Sequence, residues 1–497
     1  MNKSIFGVVS LKWLAWGLAA LAGVFYTSYL IQAVHFERGL YADGSNFFVE
    51  LLSQNKAWPI ADDPKHIRLF ANIVNQFPIA VALQSGVGSL RALKLLFGAG
   101  LFLGPILVYF FCFSLSRRAK DYRVFVFSVA SLVTCAIPSD IFILNQSFIS
   151  LAFAWVLIHY LLLRIDFRWF DWLVIAFVSL VLFRAHENLV LWGGSIFIGA
   201  GTIIRFGGRT GDFGKNRHIY LLGIVGLAQA LFVIYWQLTH SVGQETNAFL
   251  GLINFAMPQE MWVGNTRISL LTAALLVAAV FYGMCCRSAR KWNGGLSLLV
   301  FLIFLSLSGL ALYSGLSAIR DFTLTDPRRE FNYRFLMTFG SAGWMLVAIA
   351  FVLAKIKLDV RSGYLVVAAL SVGLLSASIW QVSNNLQWRE FKDAALYELR
   401  TSSGTILPPE SVRVRLVSEN REYAYKYRWD WAWPVFGMSL QNDGHVVKMF
   451  KPEGFDQYFN PPKTIPFVPL AGGGDYGSEG KGVYSFDGFQ PIGKTDQ

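Results

Sequence analysis

Charged residues are scarce in this chain. Asp, Glu, Lys and Arg supply only 15% of its 497 residues, while apolar residues supply 55%. Soluble domains contain about 25% charged residues, so this composition excludes an ordinary soluble protein. Apolar runs of about 17 or more residues, which as helices match a bilayer core of roughly 30 Å, recur over most of residues 1–380. We therefore predict an all-α polytopic membrane protein.

Cysteine is also scarce, and the common motifs of soluble enzymes are missing. Cys112, Cys135, Cys285 and Cys286 show neither a disulfide pattern nor a metal-binding pattern. The sequence contains no GxxxxGK[ST] phosphate-binding loop, no HExxH motif and no spaced set of Cys and His ligands. These absences remove the P-loop nucleotidases and the familiar zinc enzymes from the candidate classes.

The net charge is +12, but nucleic acid is not the partner that its distribution indicates. Basic residues collect in alternate short segments between apolar runs, at 117–120, 164–168, 205–217, 287–291 and 355–357. This is the positive-inside pattern. We predict that these segments and the N-terminus are cytoplasmic, in a bacterial inner membrane, with residues 11–32 as an uncleaved anchor.

About eleven transmembrane helices are expected from apolar length and polar interruption. They lie near 11–33, 92–115, 122–138, 144–163, 169–185, 188–204, 218–239, 268–286, 295–314, 335–354 and 363–380. Residues 69–88 include several amides and Pro78, so we interpret them as interfacial or re-entrant. On this topology the outward segments hold nearly all the carboxylates, amides and histidines suited to chemistry, and an active site is expected to be extracytoplasmic.

The composition changes after residue 380. Residues 1–380 are predicted to form the transmembrane domain, and residues 381–497, which are charged and lack a spanning run, a small mixed α/β extracytoplasmic domain. Within it, 388–400 has a helical pattern and 412–417 alternates as a strand does. Trp429, Trp431 and Trp433 either pack a small core, which we favour, or stack on a sugar.

The first outward loop contains an isolated carboxylate, Asp43, followed by a short amphipathic segment. Phe47, Phe48, Leu51 and Leu52 recur at helical spacing, which is typical of a helix lying in the membrane interface. One interpretation is a structural elbow. The other is a catalytic or metal-binding carboxylate at the lipid boundary, where an acceptor and a lipid-borne donor meet.

Two further outward turns offer candidate groups. Asp140, in a Pro-Ser-Asp sequence, either caps the next helix or binds a ligand. Arg184, His186 and Glu187 occupy a tight turn between two apolar runs, where such groups must pair or line a wet cavity. A local pair between Arg184 and Glu187 is one possibility, and a polar cavity shared with Asp43 and Asp140 is the other.

A late outward segment, 320–334, is rich in arginine against the positive-inside trend. Phosphate is a suitable counter-ion for several guanidinium groups, since each offers paired donors in a planar fork. Local pairing with nearby carboxylates is the alternative. The arginines are Arg320, Arg328, Arg329 and Arg334.

An acid in the first outward loop, an amphipathic helix after it, a second outward acid, a late arginine-rich loop and an extracytoplasmic tail together resemble the GT-C glycosyltransferases. These include oligosaccharyltransferase catalytic subunits, protein O-mannosyltransferases and lipid A aminoarabinose transferases. The resemblance is architectural and covers roughly residues 1–380. It implies transfer of a sugar, a hexose or pentose, from a polyprenyl-phosphate donor to an extracytoplasmic glycan, lipid or protein.

The resemblance implies roles for particular residues. Asp43 would be the catalytic carboxylate, as a general base or as a ligand for Mg²⁺ or Mn²⁺, and Asp140 would be the second-loop acid and second metal ligand. The chain has one acid at Asp140 where the family has a DxD pair, which weakens the case for a metal. The late-loop arginines and Arg184 would bind the donor phosphate, and His186 and Glu187 are catalytic candidates by position alone.

Other functions also suit a polytopic chain. A transporter or flippase of lipid-linked substrates usually places ionisable or helix-breaking residues within its spans, whereas these spans are largely uncharged. A polymerase or ligase of lipid-linked glycans, or a non-catalytic assembly component, also works outside the membrane. We therefore expect glycosyl transfer and keep these classes as alternatives.

Overall fold

The structure is a computed structural model that describes residues 2–53, 59–60, 66–139, 146–206, 213–240, 336–355, 360–419, 427, 430–441 and 448–452. These residues are mostly α-helical. A helical architecture follows from the apolar composition, because a helix satisfies its own backbone hydrogen bonds without water.

The described residues up to Ser139 form seven helices and one π-helical segment, π1. They are α1 Asn2–His35, α2 Asp43–Ser53, α3 Leu69–Gln84, α4 Leu90–Phe102, α5 Gly104–Ala119, α6 Arg123–Ser131, π1 Leu132–Ala136 and α7 Ile137–Ser139. Pro105 lies in the first turn of α5, where its missing N–H costs no hydrogen bond. Ser89 caps α4 by accepting a hydrogen bond from the Ala92 amide.

The described residues after Ser139 form further helices, a second π-helical segment, π2, and two short strands. They are α8 Gln146–Leu162, α9 Trp169–Phe183, α10 Leu189–Phe206, α11 Phe213–His240, π2 Leu336–Gly340, α12 Ser341–Leu353, α13 Val360–Thr401, β1 Ile406–Leu407, α14 Glu410–Ser418, a 3₁₀ turn Asp430–Ala432, α15 Trp433–Leu440 and β2 Met449–Phe450. The two strands pair in parallel, with Ile406 opposite Met449.

Five helical segments among the described residues are long and apolar enough to cross a membrane, so the prediction of a helical membrane protein is confirmed at that level. They are Ser10–His35, Leu90–Ala119, which comprises α4 and α5, Leu189–Phe206, Asn216–His240 and Val360–Thr401. The predicted count of eleven is not reached among these residues. Predicted spans 268–286 and 295–314 lie outside the described residues.

The other predicted spans correspond to apolar helices of 10–17 residues. Polar residues shorten them. For example, α9 begins after Arg168, whose backbone amide donates to the Asp171 carboxylate, and ends at Phe183, before Arg184. The predicted span 169–185 begins at the same residue and extends two residues too far, over Arg184 and Ala185.

The outer faces of the bundle are apolar. On α9, Leu173, Phe177 and Leu180 recur at helical spacing and are exposed. On α11, Ile224 and Leu238 are exposed in the same way. The polar side chain of Gln229 turns inward and donates to the Ser179 carbonyl oxygen of α9. This arrangement gives acyl chains an apolar surface and keeps hydrogen-bonding groups inside.

Buried tryptophans tie the π-helical segments into the core. Trp344 of α12 donates from Nε1 to Oγ1 of Thr134 in π1, at 2.8 Å. Trp192 of α10 donates from Nε1 to the carbonyl oxygen of Thr338 in π2, at 3.2 Å. Both indoles are fully buried. A buried indole needs a partner for its N–H, and here the partners lie on irregular helical turns.

Helices α10 and α11 cross where two glycines face each other. A Cβ on Gly193 would lie 2.5 Å from the carbonyl oxygen of Gly226, and one on Gly226 would lie 2.7 Å from that of Gly193. Small residues at such a crossing let helix backbones approach closely, which is how helices pack in lipid. The next residue, Gly194, faces open space.

We expect Gly193→Ala to destabilise the protein, since the new methyl group would overlap a backbone oxygen that only helix displacement can move. The expected loss is about 1–3 kcal/mol. Gly194→Ala is the matched control and should be neutral or slightly stabilising. Thermal unfolding of the two variants in the same detergent tests this, and equal melting temperatures would contradict it.

The described residues of 381–497 pack against the first loop and are continuous with a membrane-spanning helix. Helix α13 runs unbroken through the predicted boundary at residue 380. The described tail residues share an apolar cluster with Trp388 and Phe391 of α13 and with Tyr41 of the first loop. Trp433 is fully buried in this cluster, so packing is confirmed for it. The side chains of Trp429 and Trp431 lie outside the described residues.

The predicted strand at 412–417 is wrong, because this segment is the helix α14. Alternating apolar and charged residues suggested period two. In the structure Val412 and Leu416, four residues apart, are the buried pair. Arg413 reaches back to Glu410 at 3.2 Å, one helical turn earlier, an interaction that supports a helix.

Candidate functional site

Polar contacts mark two opposite ends of the bundle. At one end, the Arg118 end, Arg118 makes two hydrogen bonds to the carboxylate of Asp171, at 2.9 and 2.6 Å, and the Tyr160 hydroxyl donates to the same carboxylate. Arg217 lies over the ring of Trp172, 5.0 Å from its centroid. The start of α8 and the C-terminal end of α9 therefore lie at the opposite end, the Glu187 end.

At the Glu187 end, Glu187 forms an ion pair with Arg68. Arg68 Nε lies 3.0 and 3.1 Å from the two carboxylate oxygens, and Nη2 lies 2.9 Å from Oε1. Arg68 Nη1 also donates to Gln146 Oε1, and Gln146 Nε2 donates to Asn72 Oδ1 at 2.8 Å. These contacts join the starts of α3, α8 and α10 in one polar cluster.

His186 links α8 to α10. Its Nε2 lies 2.7 Å from Ser147 Oγ. Its Nδ1 accepts from the Asn188 amide at 3.2 Å and lies 3.1 Å from Glu187 Oε2. The ring of His186 therefore bridges Ser147 of α8 and the carboxylate of Glu187.

Arg184 lies at the C-terminal end of α9. Its Nη2 donates to the carbonyl oxygen of His66 at 2.7 Å, and its guanidinium lies 4.4 Å from the ring centroid of Trp236. Stacking on an indole holds the plane of a guanidinium while its N–H groups point outward along the edge. A backbone hydrogen bond also connects this residue to α3, since the Phe70 amide donates to the Arg184 carbonyl oxygen.

The local pair considered between Arg184 and Glu187 is not the ion pair that forms. Glu187 pairs with Arg68, which lies 119 residues away in the chain. Sequence reasoning missed Arg68 and Ser147 as site residues. The signal in the sequence was weak: His66 and Arg68 stand just before an amide-rich apolar segment. Neither hydrophobic periodicity nor a short motif indicates an ion pair between residues so far apart in the chain.

The ion pair changes the acidity of Glu187. Burial alone would raise the pKa of this carboxyl group, but the charges of Arg68 and His186 and the hydrogen bonds from Arg68 lower it below its usual value. A carboxyl group whose pKa is lowered by folding stabilises the protein above its unfolded pKa. That stabilisation is lost as the pH falls toward the folded-state value.

We expect Glu187→Gln to destabilise the protein by about 2 kcal/mol near neutral pH, between the values typical of exposed and buried ion pairs. The difference from wild type should shrink as the pH falls below about 4, because the carboxyl group then binds a proton in the unfolded wild-type chain and the unfolded state gains stability. Glu419→Gln, at an exposed carboxylate 3.8 Å from Arg415, is the control. Unfolding midpoints measured across pH would refute the expectation if both variants behaved alike.

Asp43 is the first residue of α2 and is half-buried. Among the described residues, no hydrogen bond or ion pair holds its carboxylate. The residue before it, Ala42, has φ +53°, in the left-handed region, and Ser45 Oγ donates to the Ala42 carbonyl oxygen at 2.9 Å. A Cβ on Gly44 would overlap the carbonyl oxygen of Gly39, so this turn requires glycine.

The apolar face of α2 is covered by protein. Phe48, Leu51 and Leu52 are buried in a cluster with Phe97 of α4 and Met438 of α15. Phe48 and Phe97 have ring centroids 5.6 Å apart. Asp43 is therefore fixed to a packed helix.

Asp43 and Glu187 lie toward the same end of the bundle. Gln381 of α13 donates to the carbonyl oxygen of Ile137, the first residue of α7, and further along the same helix Trp388 donates to the Phe36 carbonyl oxygen of the first loop. Within the described ranges, no hydrogen bond or ion pair connects Asp43 to the cluster around Glu187. A cavity that both share stays a prediction.

Five predicted site residues cannot be placed, because Asp140, Arg320, Arg328, Arg329 and Arg334 lie outside the described residues. Across the ranges that the structure describes, no group of three or more His, Cys, Asp or Glu residues is arranged to hold a metal ion.

No protein-family model, curated protein or solved structure matches this chain.

Proposed function

We propose that the protein is an integral membrane glycosyltransferase that moves a sugar from a polyprenyl-phosphate donor to an extracytoplasmic acceptor. The observation that supports it best is Asp43, a half-buried carboxylate without a hydrogen-bond or ion-pair partner among the described residues. Partly buried carboxylates are normally paired, because desolvation is costly. One left available at the start of a packed helix suits a general base.

The proposed reaction requires few groups. Asp43 accepts the proton of an acceptor hydroxyl, whose oxygen attacks the anomeric carbon of the sugar. The bond from that carbon to the phosphate oxygen breaks, and polyprenyl phosphate leaves with the electron pair. Negative charge then grows on the leaving phosphate, so cationic donors near it lower the barrier.

The cluster at the Glu187 end supports a phosphate-binding role. Its described residues include two guanidinium groups, Arg68 and Arg184, against the single carboxylate of Glu187. The first turns of α8 and α10 also begin here, and helix N-termini favour anions. In this proposal Glu187 orients Arg68, and His186 orients Ser147. Arg320, Arg328, Arg329 and Arg334 remain proposed partners of the phosphate.

We also propose that the Arg118 end is cytoplasmic, which leaves the Glu187 end and Asp43 outside, as in a bacterial inner membrane protein. The loops at the Arg118 end are basic, as the positive-inside rule requires of cytoplasmic loops. Eleven spans and an extracytoplasmic tail belong to the same proposal. The basic residues are Arg117, Arg118, Lys120, Arg123, Arg164 and Arg168.

Asp43→Asn should reduce transfer from labelled polyprenyl-phosphate sugars by about 100-fold or more, because the amide cannot accept the proton. The assay uses purified protein in lipid nanodiscs, with and without Mg²⁺ or Mn²⁺. Asp393→Asn is the matched control, since Asp393 is an exposed aspartate on α13. Full transfer by Asp43→Asn would end the assignment of Asp43 as catalytic.

Arg184→Gln should raise the KM for the lipid-linked donor by about 10-fold or more, the usual effect of removing a charged hydrogen bond. Arg400→Gln, at an exposed arginine of α13, is the control. Initial rates over a range of donor concentrations measure the change. If the KM of Arg184→Gln stays at the wild-type value, this arginine does not bind the donor phosphate.

A further inference from the structure

The loop that precedes Asp43 is attached to the part of α13 beyond residue 380. Trp388 Nε1 donates to the Phe36 carbonyl oxygen at 2.8 Å. Arg38, which is 1% exposed, donates from Nη1 to Asn385 Oδ1 at 2.9 Å. Lys392 and Glu37 form an ion pair at 3.2 Å. Three successive residues of the loop thus have a partner on a single helix.

The described tail encloses the end of the same loop. The ring of Tyr41 lies 6.0 Å from Trp388, 5.5 Å from Tyr427 and 5.6 Å from Phe436, each with edge-to-face geometry. Phe391 stacks on Tyr427 with centroids 4.0 Å apart. Edge-to-face and offset contacts between rings depend on orientation, so they fix the direction of Tyr41, two residues before Asp43.

The tail also holds α2 from the other side. Lys94 of α4 is 1% exposed, and its Nζ lies 3.4 Å from the carbonyl oxygens of Leu440 and Gln441, at the C-terminal end of α15. A cation there satisfies carbonyl groups that the helix leaves unpaired. Because α15 also packs on α2, this contact encloses the helix that begins with Asp43 between α4 and the tail.

The backbone of the loop is strained at both ends. Glu37 has φ +60° and Ala42 has φ +53°, and neither is glycine. Left-handed conformations of such residues cost about 1 kcal/mol or more and persist only where the surroundings enforce them. Here the contacts of the loop with α13 and the tail hold Glu37 and Ala42 in these conformations.

We propose that the extension of α13 and the tail packed on it form a positioning unit for Asp43, with Trp388 as its central positioning residue. This inference rests on the proposed function, in which Asp43 is the general base. It gives the C-terminal segment a role in catalysis without substrate contact. Small displacements of a catalytic group from its reacting geometry slow the chemical step far more than they weaken substrate binding.

Trp388→Phe tests the proposal, because it removes the N–H donated to Phe36 and keeps an aromatic ring. We expect kcat to fall about 10- to 100-fold while the donor KM stays close to wild type. Backbone amides of residues 36–44 should exchange hydrogen faster, as measured by mass spectrometry on the full-length protein in nanodiscs. Amides of α8 should be unchanged.

Trp344→Phe is the matched control for lost stability. Trp344 is as buried as Trp388 and also donates its Nε1–H, to Thr134 in the core. It should lower the melting temperature similarly while leaving kcat and the exchange of residues 36–44 unchanged. If Trp388→Phe matches Trp344→Phe in both readouts, the positioning proposal is overturned.

The outcome is separable from the proposed function. If wild-type protein shows no transfer, or Asp43→Asn retains it, the function fails, and the exchange of residues 36–44 alone then decides whether Trp388 fixes the Asp43 loop. If Asp43→Asn is inactive while Trp388→Phe keeps wild-type kcat, the function stands and the positioning role is overturned.

Discussion

The ion pair between Arg68 and Glu187 is the interaction on which the arrangement at its end of the bundle depends. It joins the start of α3 to the turn between α9 and α10, and through Gln146 it reaches α8. Ionised side chains beside apolar helices are stable only when they pair. Once Arg68 and Glu187 meet, the relative heights of these helices are fixed. Asn72 and Gln146, which lipid would not tolerate, then have partners.

The first loop meets the same requirement in a different way. Its Phe36 carbonyl oxygen accepts a hydrogen bond from Trp388, and its buried guanidinium, Arg38, donates to Asn385. Aromatic rings of the tail surround Tyr41 at its end. Those contacts are distributed over residues that lie more than 340 positions apart in the chain. The carboxylate of Asp43 takes no part in them. This arrangement suits the proposed role of Asp43 as a general base. The contacts of the loop fix the direction of the side chain, and its carboxylate oxygens stay available to accept a proton.

Sequence patterns predicted the helical membrane class because apolar length and composition are local properties. They also selected Asp43 and the turn at 184–188, since polar residues between long apolar runs are conspicuous. They failed where structure depends on distant partners. Nothing near Glu187 indicated Arg68, and alternation at 412–417 was mistaken for a strand because charge pairing and burial one turn apart decide that segment. The contact between Tyr41 and the described tail residues was missed for the same reason, since the two segments are far apart in the chain.

Helix α13 is a single element of 42 residues, so at 1.5 Å per residue it is about 63 Å long. A bilayer core is about 30 Å thick, and roughly half of the helix therefore stands clear of it. The height of Asp43 above the membrane is set by where this helix sits in the lipid. Inserting one helical turn before residue 380 would raise the attached loop by about 5.4 Å and move Asp43 away from the lipid-anchored donor of the proposed function. The length of α13 therefore sets the distance between the bilayer and the loop that carries Asp43.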